Sequence, residues 1–302
     1  MADIEFAALS ELVALVIEQR LASTLPPAAE AEIEPPKKGE VGPPEHQPNG
    51  VQPKQPSSGL VWFRGTKSEH YGLVPKLHRE AHDAEAVRRR EARLLARFAE
   101  RSMPFWIPGY PRDDWSLLFS MQHYGAPTRL LDWTENLFVA AYFASQPYTS
   151  SEEQEAAGDG RPALWTLDPV AWNGRVLEHI DADLGILTTS DPEIKNWEPR
   201  STAEDLAAAR RNRQPIALYG IHNSPRIVAQ RGTFTIAGSL TDSMEAIAHD
   251  RYPEEPLLVK YVYTGDRSGL AAELHSVGIQ RSMVFPDLES LSEEISIMEG
   301  WE

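Results

Sequence analysis

Apolar residues recur at helical spacing near the start of the chain, across residues 4–22. The stripe comprises Phe6, Leu9, Leu12, Val13, Val16 and Ile17. Spacings of three and four positions predict an amphipathic helix, separate from the rest of the chain. One helix cannot bury its apolar stripe alone, so it must dock on the main domain, on a second copy of itself or on a partner protein.

The composition changes abruptly between Pro26 and Gly59. This stretch holds nine prolines and almost no large apolar residues. Such a composition predicts a disordered, partly polyproline-like linker. We therefore divide the chain into a helix (1–25), a linker (26–59) and a main domain (60–302). The linker favours self-association or a protein partner for the helix over simple packing.

Short apolar runs alternate with amphipathic segments from residue 60 onward. Residues 60–65 are predicted as the first strand, with Trp62 and Arg64 on one face and Phe63 on the other. Helices are predicted at 79–101, 115–121, 268–277 and 288–297, with some helix at 202–212 and a polar loop at 146–160. Further strands are predicted at 163–167, 216–219, 227–236 and 257–262. The prediction is an α+β fold: a mainly antiparallel sheet with a helical insert after the first strand.

A dense run of functional groups separates the insert from an apolar helix. The sequence Met121 to Thr134 is followed by the apolar residues Leu137 to Ala144. Gly125 can supply a positive φ angle in a turn, and Pro127 favours extended backbone before a strand at residues 128–131. The polar side chains of this run include Gln122, His123, Tyr124, Arg129, Asp132 and Thr134.

These polar residues admit a structural interpretation beside a functional one. Asp132 or Thr134 can act as the N-cap of the apolar helix, and with Asp132 as cap Glu135 completes a capping box. Arg129 can pair with a structural carboxylate, and His123 and Tyr124 can be half-buried. A cap needs a single oxygen, however, and six different functional groups in fourteen residues favour a site.

Composition excludes several classes of protein. With 29 basic and 45 acidic residues, the net charge of −16 argues against a general nucleic-acid coat. The sequence contains no cysteine, so we expect no disulfide, no thiolate nucleophile and no zinc ribbon. We see no metal-ligand spacing and no membrane span, and we expect a cytoplasmic protein. The arginines of the 79–101 helix are predicted to be mostly a solvated face, so nucleic acid is not favoured.

The central run resembles the core motif of the FRG domain family. The resemblance rests on Gln122 to Thr134 with Phe138 to Ala144, and on the tripeptide Phe63-Arg64-Gly65 that gives the family its name. Further matches extend to the C-terminus: Pro75, Arg79, Glu91, Phe98, Pro225, Arg226, Gln230, Gly232 to Phe234, Gly278, Ile279 and Phe285 to Leu288.

The order of these motifs is similar to that of the ADP-ribosyltransferase fold. This similarity implies that Arg64 holds the phosphate or ribose of NAD and that Thr134 supports the nicotinamide ribose. It also implies a glutamate on a later strand, but the sequence has Arg226 where that residue is expected. Either Asp132 supplies the acid, or the pocket binds a nucleotide without transferring ADP-ribose.

The resemblance implies a nucleotide-binding enzyme that acts on NAD, of the kind found among toxins and antiviral defence effectors. Its catalytic residues are predicted to be Asp132, Thr134 and His123, and its nucleotide-binding residues Arg64, Gln122, Tyr124, Arg129 and Gln230. One alternative is a nuclease or nucleotide hydrolase acting through His123, Arg129 and Asp132. Another is a non-catalytic, nucleotide-sensing interaction module. In each case we expect the predicted site residues to converge on one pocket.

Overall fold

A mostly antiparallel, seven-stranded open sheet organises the protein. The computed structural model describes residues 3–24, 59–79, 83–106, 112–180, 184–199, 214–222 and 224–301. Within these ranges the strands are β1 (Ile4–Phe6), β2 (Trp62–Thr66), β3 (Leu130–Thr134), β4 (Ala163–Leu167), β5 (Ile216–Leu218), β6 (Gly232–Ile236) and β7 (Leu258–Tyr263). Their order in the sheet is β1-β7-β4-β2-β3-β6-β5, and the named strands pair antiparallel except β1 with β7.

Helices cover both faces of the sheet. They are α1 (Leu9–Thr24), α2 (Ala84–Arg101), α3 (Asp114–His123), α4 (Leu137–Ser145), α5 (Ser151–Ala157), α6 (Pro169–Val176), α7 (Pro225–Ala229), α8 (Met244–Arg251), α9 (Arg267–Ser276), α10 (Arg281–Val284) and α11 (Leu288–Met298). Short 3₁₀ helices span Met103–Phe105 and Pro192–Trp197. Among the described residues, no helix is both long enough and apolar enough to cross a membrane.

Strand alternation separates two apolar cores. Trp62 and Trp165 point into the first core, whereas their neighbours Phe63 and Leu164 point into the second. This agrees with the predicted faces of the 60–65 strand, because successive side chains leave a strand on opposite sides. The mixed α and β content and the helical insert of α2 and α3 between β2 and β3 are confirmed.

The N-terminal segment is part of this fold and not a separate helix. Its first residues form β1 instead of the first helical turn, because the backbone of Ile4–Phe6 pairs with β7. The backbone N–H of Leu9, at the start of α1, donates to Glu273 Oε2 over 2.6 Å. The apolar residues Phe6, Leu9, Leu12 and Val16 lie in the second core, while Ile17 and Leu21 remain exposed.

This packing bears on the predicted role of the N-terminal helix. The apolar stripe that we expected to bind a partner or a second copy is largely covered by the protein's own sheet and α9. Residues 26–58 of the predicted linker (26–59) and the predicted helix at 202–212 lie outside the described residues, and the domain boundaries stay predictions.

Three local predictions are wrong for identifiable reasons. The polar loop at 146–160 contains α5, whose N-cap Ser150 accepts a hydrogen bond from the Glu153 N–H. The first three residues of the predicted 227–236 strand belong to α7, because Ser224 caps its first turn and Pro225 occupies the first helical position. The cap of α4 is Asn136, which accepts from the Phe138 N–H, and not Asp132 or Thr134. Both of those residues lie within β3.

The packing of α1 predicts a clear difference between two of its apolar residues. Leu12 is fully buried, so Leu12→Ala should lower the free energy of unfolding by about 2 to 5 kcal/mol through lost contacts and a cavity. Ile17 is half exposed on the same helix, and Ile17→Ala should change the free energy of unfolding by about 0.5 kcal/mol or less. Urea unfolding of both variants tests this. Equal, small effects would mean that α1 does not pack on the domain.

Candidate functional site

Two neighbouring cavities share lining residues from β2 and β3. The inner chamber has a cavity volume of about 340 Å³ and the outer chamber about 590 Å³. Six residues line both chambers, and we call them the throat: Arg64, Arg79, Gln122, His123, Asp132 and Arg226. Apolar side chains, including Phe63, Phe119, Phe143 and Phe234, surround the inner chamber. Ligand sites combine such apolar walls with a few convergent polar groups.

Arg64 reaches the throat because of its neighbour Gly65. A Cβ atom on Gly65 would lie 1.8 Å from the backbone oxygen of Ala140, so any larger residue would push α4 away from β2. The guanidinium of Arg64 donates a short hydrogen bond to the backbone carbonyl of Asp132 on β3. Burial lowers the pKa of Arg64, Asp132 opposes this change, and Arg79 adds to it. Even so, an arginine in a protein stays charged.

Two further arginines face the same space. The guanidinium carbon of Arg226, on α7, lies 4.6 Å from the centre of the Phe285 ring, a cation–π contact. Burial lowers the pKa of Arg226, against the attraction of Asp132 and Asp287. Arg79 donates to the carbonyl of Val74 over 3.3 Å. Within the part of the chain that the structure describes, none of Arg64, Arg79 and Arg226 forms an ion pair.

Asp132 is the carboxylate of the throat, and a relay of hydrogen bonds orients its neighbour. The amide nitrogen of Gln122 donates to Asp132 Oδ2 over 2.7 Å. The amide oxygen of Gln122 accepts a short hydrogen bond from the Thr128 hydroxyl, which fixes the amide orientation. Asp132 therefore presents an exposed carboxylate from the middle of β3 and does not cap a helix.

His123 and Tyr124 end α3 at the mouth of the cleft. Their rings meet edge to face, with centroids 4.8 Å apart. Burial lowers the pKa of His123, Arg226 lowers it further, and Asp132 opposes both. A lowered pKa keeps the imidazole neutral at pH 7, the form that can accept a proton. Tyr124 lines only the outer chamber and is 77% exposed.

Thr134 and Gln230 line the inner chamber, but hydrogen bonds to the fold occupy their polar groups. The Thr134 hydroxyl donates to the Gln230 carbonyl over 2.6 Å and accepts from the Asn136 N–H over 3.0 Å. The side-chain amide of Gln230 donates to the carbonyl of Val284 over 3.1 Å. The bond from Thr134 joins the end of β3 to the turn between α7 and β6, and the bond from the Gln230 side chain joins that turn to α10.

Arg129 lies away from the cleft, contrary to our expectation for a nucleotide-binding residue. It is three positions before Asp132 in extended chain, so its side chain leaves on the opposite face. Its Nε lies 2.9 Å from both carboxylate oxygens of Glu91, and its other nitrogens donate to the carbonyls of Ala237 and Trp197. Burial raises the pKa of Glu91, and Arg129 opposes that rise. The structural interpretation of Arg129 is therefore confirmed.

One protein-family model matches part of the chain. Residues 59–153 match the family model of the FRG domain. Separate searches of curated proteins and of solved structures each found no match. The matched segment supplies every throat residue except Arg226, so most of this cleft lies within it. Among the described residues, no three His, Cys, Asp or Glu side chains cluster as metal ligands.

The structure brings seven of the eight predicted site residues to the cleft and leaves Arg129 out. It also adds residues to which we assigned no role. Arg79 lines both chambers, Lys76 lines the outer one, and Lys67 with Glu153 forms an ion pair of 2.9 Å in the inner one. Arg79 belonged to the sequence resemblance and could have been found that way. Lys67 and Glu153 carried no signal, because they meet only in the folded chain.

The buried Glu91–Arg129 pair predicts a large effect on stability. Glu91→Ala leaves a buried guanidinium without its counter-ion, which should lower the free energy of unfolding by about 3 to 5 kcal/mol. Glu85, on the exposed side of the same helix, pairs with Arg88 and Arg89. Glu85→Ala should lower the free energy of unfolding by about 1 kcal/mol or less. Chemical denaturation measures both, and a Glu91→Ala protein as stable as the control would contradict this account of Arg129.

His78 beside this pair predicts a pH dependence. The ring is buried, neither nitrogen has a hydrogen-bond partner within the described residues, and burial with help from Arg129 lowers the pKa to about 4. An unfolded histidine titrates near 6.5, so between about pH 6.5 and 4 the unfolded state binds the proton and the native state does not. As the pH falls through this window, the histidine should therefore remove about 3 kcal/mol of stability.

The test compares unfolding free energies at pH 7 and pH 4. His78→Gln should lose less stability over this interval than the unmodified protein. His249→Gln, which changes an exposed histidine, serves as the matched control and should follow the unmodified protein. Identical pH dependence in all three proteins would show that His78 does not stay neutral in the fold.

Proposed function

We propose that the throat binds the phosphate groups of a nucleotide of the NAD type. The observation that carries this proposal is the convergence of three arginines that have no ion pair within the described residues. Arg64, Arg79 and Arg226 face one space in a protein whose net charge is −16. The three guanidinium groups carry like charges that repel one another, and a bound anion would offset this repulsion.

The chemistry of the groups fits a diphosphate. Guanidinium groups bind phosphate oxygens in a bidentate manner, and such charge-assisted hydrogen bonds are about twice as strong as neutral ones. Apolar and aromatic side chains around the inner chamber suit a planar ring. The outer chamber gives room for the second half of a dinucleotide beside Tyr124 and Lys76.

Asp132 is the residue we propose for chemistry on the bound nucleotide. When the bond between nicotinamide and ribose breaks, its electron pair goes to the ring nitrogen and the ribose acquires oxocarbenium character. A nearby carboxylate stabilises that positive charge until water or an acceptor adds to the ribose carbon and loses a proton. Such a reaction is similar to that of ADP-ribosyltransferases. It uses Asp132 in place of the expected glutamate, whose position here falls on helix α7.

A second candidate is hydrolysis of a phosphate ester or anhydride. The observation that favours it is His123, whose lowered pKa keeps it neutral in the throat among Asp132 and the arginines. In this reaction His123 acts as general base for water, and Arg64 and Arg226 stabilise the charge on phosphorus. Arg129 takes no part. Free nicotinamide identifies the first reaction, and nucleoside monophosphate or shortened RNA identifies the second.

Arg64 provides the test of binding. Arg64→Ala removes a charge-assisted contact and should weaken NAD binding by about 1.5 to 3 kcal/mol, measured by isothermal titration calorimetry. Arg251→Ala, an exposed arginine outside the cleft, should leave the affinity unchanged. Equal affinity of both variants for NAD would remove the throat from the proposed site.

Asp132→Asn separates binding from chemistry. Asparagine keeps an oxygen that can accept the Gln122 hydrogen bond, so the melting temperature and NAD affinity should be preserved. Release of nicotinamide should fall by about 100-fold or more, because the carboxylate charge is lost. Asp250→Asn, an exposed aspartate elsewhere, is the control. Full nicotinamide release by Asp132→Asn would leave the proposed reaction without its acid.

A further inference from the structure

Helix α2 carries arginines that the fold and the cleft do not use. It contains six arginines and no lysine. Arg88 and Arg89 pair with Glu85 at the start of the helix. Arg93, Arg97 and Arg101 follow at intervals of four residues and are exposed. Residues four apart lie above one another on a helix, so these three form a line about 12 Å long.

This line of arginines faces solvent. The inward face of α2 is formed by Val87, Glu91 and Leu95, which are buried. Within the described ranges, none of Arg93, Arg97 and Arg101 has an ion pair, although acidic residues outnumber basic ones by 45 to 29 in the whole chain. A concentration of unpaired positive charge in an acidic protein is a local attraction for anions.

An exposed aromatic ring lies just beyond the end of this line. Phe105 belongs to the 3₁₀ helix that follows Arg101, and its side chain is 85% exposed. Neighbouring Met103 is 54% exposed. Phenylalanine is mostly buried in folded proteins, and an exposed ring four residues after Arg101 provides a surface on which a planar group can stack.

We propose that Arg93, Arg97, Arg101 and Phe105 form a binding site for single-stranded nucleic acid. The arginines contact successive phosphates, and the Phe105 ring stacks on a base. Arginine suits this role because its planar group binds phosphate oxygens in pairs. A membrane surface fits less well, because a membrane-bound helix inserts its apolar face and the apolar face of α2 is already buried in the protein.

This site is independent of the proposed nucleotide cleft. None of its four residues lines either chamber, so variants at this site leave the throat intact. Loss of nucleic-acid binding and loss of NAD binding are therefore separate results, and the failure of one proposal does not affect the other.

Fluorescence anisotropy with labelled 12-nucleotide poly(U) and poly(dT) tests the proposal on the full-length protein. We expect binding to either polymer that weakens with salt. In Arg93→Gln/Arg97→Gln, loss of two phosphate contacts should reduce the slope of log affinity against log salt by about 1.4. Phe105→Ala should weaken binding by about fivefold or more while leaving the salt slope unchanged.

The matched control is Lys195→Gln/Arg251→Gln, which removes two exposed charges outside α2 and should bind like the unmodified protein. Melting temperatures establish that every variant is folded. Absence of binding to both polymers, an unchanged salt slope in the α2 variant or an equal loss in the control would each overturn the proposal. So would binding to vesicles of phosphatidylserine and phosphatidylcholine without binding to either polymer.

Discussion

The close contact between strand β2 and helix α4 is the constraint on which the cleft depends. Gly65 allows the two backbones to meet, since a Cβ atom there would collide with Ala140. The contact places the apolar helix α4 in the second core with Phe63. Arg64 lies between Phe63 and Gly65 in β2, and the same contact holds it where its guanidinium reaches the backbone carbonyl of Asp132. In the Phe-Arg-Gly tripeptide, Phe63 packs in the second core and Arg64 faces the throat. Gly65 has no side chain, so helix α4 can pack directly against β2.

Strand β3 explains why one short motif serves both stability and a site. Side chains alternate between the two faces of a strand, so neighbouring polar residues separate. Arg129 turns inward and binds Glu91 and two carbonyl groups in a buried position. Asp132 turns outward and contacts Gln122 at the throat. The density of polar residues in the motif therefore reflects two different environments on either side of one strand.

Much of the fold could be predicted from the sequence, since the central strands are apolar runs and α2 carries clear helical periodicity. The prediction failed where tertiary contacts decide the conformation. Ile4–Phe6 continues a helical pattern, but pairing with β7 makes it a strand. Ile227 and Val228 resemble a strand, but the cap at Ser224 makes them helical. For the site, the motif and the Phe-Arg-Gly match indicated the throat, whereas the face of Arg129 relative to Asp132 depended on the continuation of strand β3 as far as Thr134.

A crystal structure of the protein with ADP-ribose tests the central claim most directly, because this ligand has the diphosphate of NAD but no nicotinamide to lose. We expect diphosphate oxygens about 2.7 to 3.2 Å from the guanidinium groups of Arg64 and Arg226, within hydrogen-bonding distance. We also expect the free ribose end beside Asp132. ADP-ribose bound elsewhere, or an empty throat at a saturating concentration of the ligand, would contradict this claim.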